Sequence, residues 1–382
     1  MKPREPAGWE RGGGKSAELR GQAWARGGDG ENIPATVHGR SCGCAIRLRR
    51  RGEPSPRVGR SACRLFLLGK AGGADIVHTI FQEEHAMDIR HLRGSIVALV
   101  TPFHADGSVN FEKLRELVEW HIASGTDAIL TLGTTGESST MTHEEDDDTL
   151  RCVVASAAGR VPVIAGTGSN CTQTMVEKSL RAQELGADGL LLITPYYNKA
   201  NQEGMYRHFA AVADAVTIPS ILYNVPGRTG CAIAPETVER LAKHPNVCGI
   251  KEASGDMSYA MRIAHCVGPD FALWSGNDDI TLPLLSIGGS GVISVWANIM
   301  PRECHQMVMD YLEGRQAEAR ATALRYLDLM NGLFMEVNPI PVKTALNMMG
   351  RDVGPFRMPL WDMSESHQAA LRGLLEEAGL LA

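Results

Sequence analysis

The feature that most constrains the fold of this chain is a short β-rich run that recurs about every 25 to 35 residues. Eight such runs predict strands at residues 95–101, 128–132, 161–165, 189–194, 220–223, 247–251, 272–275 and 291–295. Between most of them lies a segment with apolar residues at helical spacing, such as Phe111, Leu114, Leu117 and Val118. This alternation predicts an α/β chain folded as a (β/α)8 TIM barrel. An open doubly wound sheet usually has fewer strands, and its G-x-G-x-x-G fingerprint is absent after the first run.

The chain divides into three segments of different character. Residues 1–86 carry 15 Lys and Arg against 9 Asp and Glu and show no sustained hydrophobic period. We expect them to be a disordered or non-native extension, with Met87 as the natural start. Residues 87–300 are predicted to form the barrel. Residues 301–382 show about four helical segments and no strand pattern, and predict a C-terminal helical appendage.

Charge, hydropathy and cysteine usage exclude several classes of protein. Beyond residue 86 the chain carries 23 Lys and Arg against 35 Asp and Glu, which argues against nucleic-acid binding. No run approaches the roughly 18 to 20 apolar residues of a membrane-spanning helix, so no membrane partner is expected. Single cysteines scattered beyond residue 86, without a secretory signal, indicate reduced thiols in the cytoplasm.

Polar residues follow the predicted strands at the end of the barrel where active sites lie. The central one is Lys251, which ends the apolar run Val-Cys-Gly-Ile and should point into the barrel mouth. Burial lowers the pKa of a lysine, and a neutral amine can attack a carbonyl to form a Schiff base. A salt bridge to a rim carboxylate is the alternative, and position alone leaves both open.

Four further residues favour the chemical interpretation when they are taken together. Tyr223 ends the adjacent strand, so its hydroxyl could shuttle protons, although a lone Tyr there is more often a packing residue. Thr134 and Thr135 lie in a turn bracketed by glycines, whose hydroxyls and N–H groups suit a carboxylate. Arg228 offers a planar fork for a second carboxylate, although alone it would as readily form a surface ion pair.

These residues belong to a series of four motifs, which follow one another along the chain in the order GTTGES, TPYYN, YNVPGRTG and GIKEAS. In this order and spacing the sequence resembles the dihydrodipicolinate synthase branch of the pyruvate-dependent lyases, which also include N-acetylneuraminate lyase and 2-keto-3-deoxy-sugar-acid aldolases. The resemblance runs from about residue 93 to residue 380 and does not touch residues 1–86.

The resemblance implies four catalytic residues. Lys251 corresponds to the lysine that captures pyruvate as a Schiff base, and Tyr223 to the proton relay beside it. Thr134 would link Tyr223 to Tyr197, which in this family reaches into the site of the neighbouring subunit. Such enzymes are usually homotetramers built as a dimer of dimers.

The resemblance also implies four substrate-binding positions. Thr135 would bind the pyruvate carboxylate, while Gly276 and Ile293 would present backbone groups near the substrate. Arg228 would bind the carboxylate of the second substrate, L-aspartate 4-semialdehyde. The implied reaction gives 4-hydroxy-tetrahydrodipicolinate, a step of lysine and diaminopimelate biosynthesis, with no metal or redox cofactor. The twelve histidines agree, since none of them has zinc-ligand spacing.

A regulatory site is implied as well, because many members of the family are inhibited by lysine at the dimer interface. Asn170, His143 and Tyr196 fit the inhibited pattern. Thr174 replaces a glutamate that meets the ligand's ammonium, and Asp146 replaces a histidine. Losing a charge-assisted contact costs about 1.5–3 kcal/mol, so lysine inhibition should be weak or absent. The full set of matching positions is Ser139, His143, Asp146, Asn170, Thr174 and Tyr196.

Two other functions remain as alternatives. One is another pyruvate-Schiff-base lyase acting on a sugar acid such as N-acetylneuraminate, although such enzymes commonly lack an arginine at position 228. The other is a catalytically dead barrel with a binding role, against which the complete set of catalytic residues argues.

Overall fold

The computed structural model describes residues 87–381, together with five strand segments of the first 86 residues. Glu10–Arg11, Glu18–Arg26 and Asn32–Arg40 form one antiparallel sheet, and Lys70–Ala71 pairs antiparallel with Ala74–Asp75. The rest of residues 1–86 lies outside the described residues. The prediction that this segment is a disordered or non-native extension therefore stays a prediction.

Eight parallel strands form a closed barrel, in the order β5-β6-β7-β8-β1-β2-β3-β4 around the ring. The sequence prediction of a TIM barrel is confirmed, and only the strand ends differ: the first strand stops at Ala98 instead of residue 101. The strands are β1 Gly94–Ala98, β2 Ala128–Thr131, β3 Val163–Gly166, β4 Gly189–Ile193, β5 Ser220–Asn224, β6 Val247–Glu252, β7 Ala272–Ser275 and β8 Gly291–Ser294.

Helices separate the strands and cover the barrel. Local sequence fixes several of their ends: at the start of α2, Thr142 and Glu145 form a reciprocal capping box that satisfies two free N–H groups. The helices are α1 Phe111–Ala123, α2 His143–Ala157, α3 Thr172–Glu184, α4 Gln202–Ala215, α5 Pro235–Leu241, α6 Met257–Ile263, α7 Thr281–Ser286, α8 Pro301–Leu312, α9 Gln316–Gly332, α10 Ile340–Met348 and α11 Glu365–Glu377, with a single helical turn at Pro226–Thr229.

The core has two layers because successive strand residues point to opposite faces. Inward-facing residues such as Ile96, Leu130 and Trp274 fill the barrel, and outward-facing ones pack against the helices. Ile89, on the short 3-10 helix Ile89–His91, joins the inner cluster beside the start of β4. The barrel is thus filled at its N-terminal end, which leaves the opposite end for a site.

The C-terminal region contains four helices, as its pattern predicts. The first of them, α8, packs on β1, where the Ser95 hydroxyl contacts the Cys304 thiol at 3.1 Å. The predicted boundary at residue 300 assigns α8 to the appendage, whereas this helix lies against the barrel wall. The boundary therefore stays a prediction. None of the helices within residues 87–381 has the length and apolarity needed to cross a bilayer.

Candidate active site

The strand register brings Lys251 and Tyr223 together. They are direct partners in the parallel pair β5–β6, each at the C-terminal end of its strand. Both line a cavity of about 190 Å³ at that end of the barrel. Six of the eight residues predicted to carry catalysis or substrate binding line it: Lys251, Tyr223, Thr134, Thr135, Arg228 and Gly276.

The Lys251 amine lies in an environment that favours its neutral form. The residue is only 5% exposed, and burial lowers its pKa from 10.5 to about 7. The negative charge of Asp278 opposes this shift, and the positive charge of Arg228 adds to it. The amine lies over the Tyr223 ring, 4.6 Å from the ring centroid. Such a lysine can act as a nucleophile at neutral pH.

The pKa of Tyr223 is shifted in the opposite direction, which suits a proton donor. Burial raises the pKa of its phenol to about 12, although the Arg228 charge acts against this. The phenol therefore stays protonated at neutral pH beside an amine that is about half neutral. The amine pKa is thus lowered and the phenol pKa is raised. Adjacent groups with strongly shifted pKa values are typical of acid–base sites.

The Thr134–Thr135 turn presents donors to the same cavity. Thr134 is exposed and Thr135 is buried, and the Thr135 hydroxyl accepts a hydrogen bond of 2.9 Å from the Asn338 side-chain amide. A hydroxyl has one proton, so this contact leaves the Thr135 O–H free to donate to a carboxylate. The Arg228 guanidinium in turn donates to the Asn338 carbonyl at 3.1 Å, which holds its planar fork at the cavity wall.

Gly276 is required where it stands. A Cβ at this position would lie 2.5 Å from the Ala253 Cβ and 3.0 Å from the Lys251 Cε. Ile293 is different: its side chain is fully buried in the inner cluster, and it pairs with Ile96 in the wall between β8 and β1. Its predicted backbone role toward the substrate stays a prediction.

Tyr197 does not join the other catalytic candidates within this chain. Its side chain is 91% exposed, its backbone is left-handed at φ 68°, and it does not line the Lys251 cavity. This placement leaves the ring available to a second subunit, which is what the resemblance implies for it.

Five of the six predicted regulatory residues divide between two further cavities. His143, Asp146 and Thr174 line a cavity of about 480 Å³ between α2 and α3, where Asp146 forms an ion pair of 2.9 Å with Lys178. The pattern did not single out Lys178, which lines both cavities. Ser139 and Tyr196 line a cavity of about 360 Å³ that Thr134, Tyr223 and Arg228 also line. Asn170 lines neither cavity, and its backbone carbonyl accepts a hydrogen bond from the Asn198 side-chain amide.

Sequence reasoning missed one residue whose charge acts on Lys251, Asp278, and one that lines the Lys251 cavity, Asn338. Asp278 is buried, accepts N–H donation from Val295 and Trp296 at one oxygen, and has no partner at the other among the described residues. Its position in the SGND segment was a usable signal. Asn338 lies in the C-terminal region, 203 residues from its partner Thr135, and no local pattern marks it. Within residues 87–381, His, Cys, Asp and Glu side chains form no group of three suited to a metal ion.

Comparison with known proteins agrees with this geometry. The sequence matches the dihydrodipicolinate synthetase family over residues 91–378. A 4-hydroxy-tetrahydrodipicolinate synthase of Thermoanaerobacter sp. (strain X514) is 54% identical over 290 residues, which is 76% of this chain and 97% of the relative.

Two solved structures are similar over the same part of the chain. One is a chloride-inhibited dihydrodipicolinate synthase from Acinetobacter baumannii complexed with pyruvate, with 43% identity, a TM-score of 0.74, and coverage of 76% of this chain and 100% of that one. The other is the enzyme from Cyanidioschyzon merolae with lysine bound, also with 43% identity and a TM-score of 0.74, covering 76% and 99%. The match to the family and the identity to its members show that this chain belongs to the dihydrodipicolinate synthetase family.

Proposed function

We propose that this chain is a lyase of the class I aldolase type that condenses pyruvate with L-aspartate 4-semialdehyde to give 4-hydroxy-tetrahydrodipicolinate. The observation that carries this is the buried Lys251 amine, whose pKa lies at about 7 beside the protonated Tyr223 phenol. The relatives named for this synthase and the pyruvate complex of a similar structure support it.

The first half of the reaction captures pyruvate. The neutral Lys251 amine attacks the keto carbon, the carbonyl oxygen takes up a proton, and loss of water leaves a protonated imine. Tyr223 is the group placed to supply and recover these protons. The Thr135 hydroxyl donates to the pyruvate carboxylate, since its acceptor side is already taken by Asn338. The imine withdraws electrons, so the methyl carbon loses a proton and becomes an enamine.

The second half joins the two substrates. The enamine carbon attacks the aldehyde of the semialdehyde, whose own carboxylate pairs with Arg228 at the cavity mouth. The aldehyde oxygen takes a proton from the relay of Tyr223, Thr134 and a partner subunit's tyrosine equivalent to Tyr197. The amine of the semialdehyde then displaces Lys251 from the imine and closes the ring, which restores the free lysine.

The same proposal includes the assembly and its location. Because Tyr197 is exposed and lies apart from Lys251 in its own chain, a complete relay needs at least a tight dimer, and we propose a homotetramer in the cytoplasm. We also propose that no metal or redox cofactor takes part, since each step moves only protons and carbon–nitrogen or carbon–carbon bonds. A sugar-acid lyase remains the alternative substrate class.

Two measurements test the proposal in sequence. Borohydride reduction in the presence of pyruvate should add mass at Lys251, and Lys251→Met should abolish it. Lys243→Met, at an exposed lysine, should not. An assay coupled to a reductase should then show turnover with the semialdehyde. Absence of mass at Lys251 would refute the Schiff base, and much faster cleavage of N-acetylneuraminate or a keto-deoxy acid would refute the synthase while keeping the imine.

A further inference from the structure

The GTTGES segment contains a residue to which the proposed chemistry gives no role. Glu137 follows the Thr134–Thr135 turn and is almost completely buried, in a left-handed conformation with φ 55°. Side chains other than Gly, Asn and Asp rarely adopt this conformation without compensating contacts. Both of its carboxylate oxygens are occupied: one accepts from the Lys343 ammonium at 2.7 Å and the other from the Arg357 backbone N–H at 3.0 Å.

Lys343 has no contact with solvent. Both side chains of the Glu137–Lys343 ion pair are fully buried, and the ammonium also donates to the Pro355 carbonyl at 2.7 Å. The aromatic rings of Phe103 and Phe356 cover it, with centroids 4.5 Å and 5.2 Å away. A buried ion pair is weak grounds for stability, because its desolvation cost offsets much of the attraction. Its position raises the question of a functional role.

The same part of the chain contacts the turn at a second point. Lys343 lies on α10, and Asn338, just before that helix, donates to the Thr135 hydroxyl at 2.9 Å. The turn is further closed by its own bonds, with the Gly136 N–H donating to the Gly133 carbonyl and the Glu137 N–H to the Thr134 carbonyl. Thr134 and Thr135 therefore lie on a loop that is held at two points, by Asn338 through Thr135 and by Lys343 of α10 through Glu137.

We propose that Lys343 is a positioning residue for pyruvate: through Glu137, and together with Asn338, it fixes the Thr134–Thr135 turn against the Lys251 cavity. The C-terminal helical region then forms part of the active site. This inference rests on the proposed function, because it assumes that the turn binds the pyruvate carboxylate. Displacement of such a binding group by about 1 Å is enough to lower a rate by about a hundredfold.

The experiment separates charge burial from positioning. Lys343→Met alone leaves Glu137 as an uncompensated buried charge, so both the melting temperature and the activity should fall. The double variant Glu137→Gln/Lys343→Met removes both charges and should recover most of the melting temperature. It still lacks the ammonium that fixes the turn. We therefore expect its pyruvate KM to rise about tenfold or more, with a smaller change in the KM for the semialdehyde.

A matched control removes an exposed ion pair in the same way. Glu119→Gln/Arg160→Met changes a surface pair between α1 and the loop after α2, and its pyruvate kinetics should equal those of the unaltered chain. Borohydride trapping on the unaltered chain tests the proposed function independently. If that chain forms the imine and the stable double variant binds pyruvate as well as it does, within twofold, the positioning role is wrong.

Asn338→Ala keeps the inference testable if the double variant does not fold. It removes the second contact to the same loop without exposing a buried charge. A raised pyruvate KM at an unchanged melting temperature is the expected result. Unchanged pyruvate kinetics would contradict the role of this region in holding the turn.

Discussion

The lowered pKa of Lys251 should appear as an acid limb near pH 7 in the rate of imine formation. At pH 7, an amine with a pKa of about 7 is about half neutral, whereas one with the ordinary value of 10.5 is neutral in about one molecule in 3,000. Burial therefore raises the reactive fraction by about three orders of magnitude. Pyruvate alone suffices for the measurement, as borohydride-trapped protein per unit time between pH 5.5 and 10.

The Arg228→Gln variant tests the electrostatic part of this reasoning. The Arg228 charge helps to lower the Lys251 pKa, so its removal should move the limb to higher pH. The variant still forms the imine, because the second substrate plays no part in that step. A limb near pH 10 in the unaltered chain, or one that moves to lower pH in the variant, would refute the reasoning.

Protein stability gives an independent measure of the same shift. Between pH 7 and 10.5 the unfolded chain binds a proton at Lys251 that the folded chain lacks, so this residue destabilises the fold most at low pH. The free energy of unfolding of the unaltered chain, relative to Lys251→Met, should therefore rise by up to about 1.4 kcal/mol per pH unit across that window. A difference that is flat with pH would contradict the assigned pKa.

Four further outcomes are expected. Gly276→Ala should slow imine trapping about tenfold or more, because its Cβ would crowd the Lys251 Cε, whereas Gly373→Ala, which meets no atom within 4 Å, should have no effect. Lysine should give half-inhibition only at millimolar or higher concentration, because Lys178 already pairs with Asp146; half-inhibition well below millimolar would contradict this. Glu145→Gln should lower the melting temperature at pH 7 but progressively less as the pH falls from 4.5 towards 2, because pairing with Arg357 lowers the Glu145 pKa to about 2. A chain that begins at Met87 should fold and form the pyruvate imine at the same rate as the full chain, and a poorly folded or inactive product would show that residues 1–86 contribute.

The strands and the strand-end residues could be predicted because their signals are local. Lys251 follows four residues of an apolar run, so its place at the end of a buried strand can be read from the sequence. Parallel pairing of consecutive strands then places Tyr223 beside it without further information. Gly276, which follows β7, lines the cavity too, but its role was implied by the family resemblance and not by a local signal.

The remaining parts of the site depend on contacts that no local pattern reports. Asn338 and Lys343 reach the loop after β2 from 203 and 206 residues away, and only the folded C-terminal region brings them there. Lys178 was missed for a related reason. On α3 it looks like an ordinary surface lysine, and it becomes notable only because α2 places Asp146 2.9 Å from it.

In the proposed mechanism the site must meet two conflicting demands, and Arg228 serves both of them. Two carboxylate substrates have to be attracted by a chain whose residues beyond 86 carry 23 basic against 35 acidic side chains, yet the nucleophile has to be uncharged. A protonated Lys251 would supply positive charge but could not attack. The guanidinium of Arg228 provides the charge for binding and, by the same charge, lowers the pKa of Lys251. A variant that still binds both substrates but lacks the Arg228 charge should therefore form the imine more slowly at neutral pH, even when pyruvate is saturating.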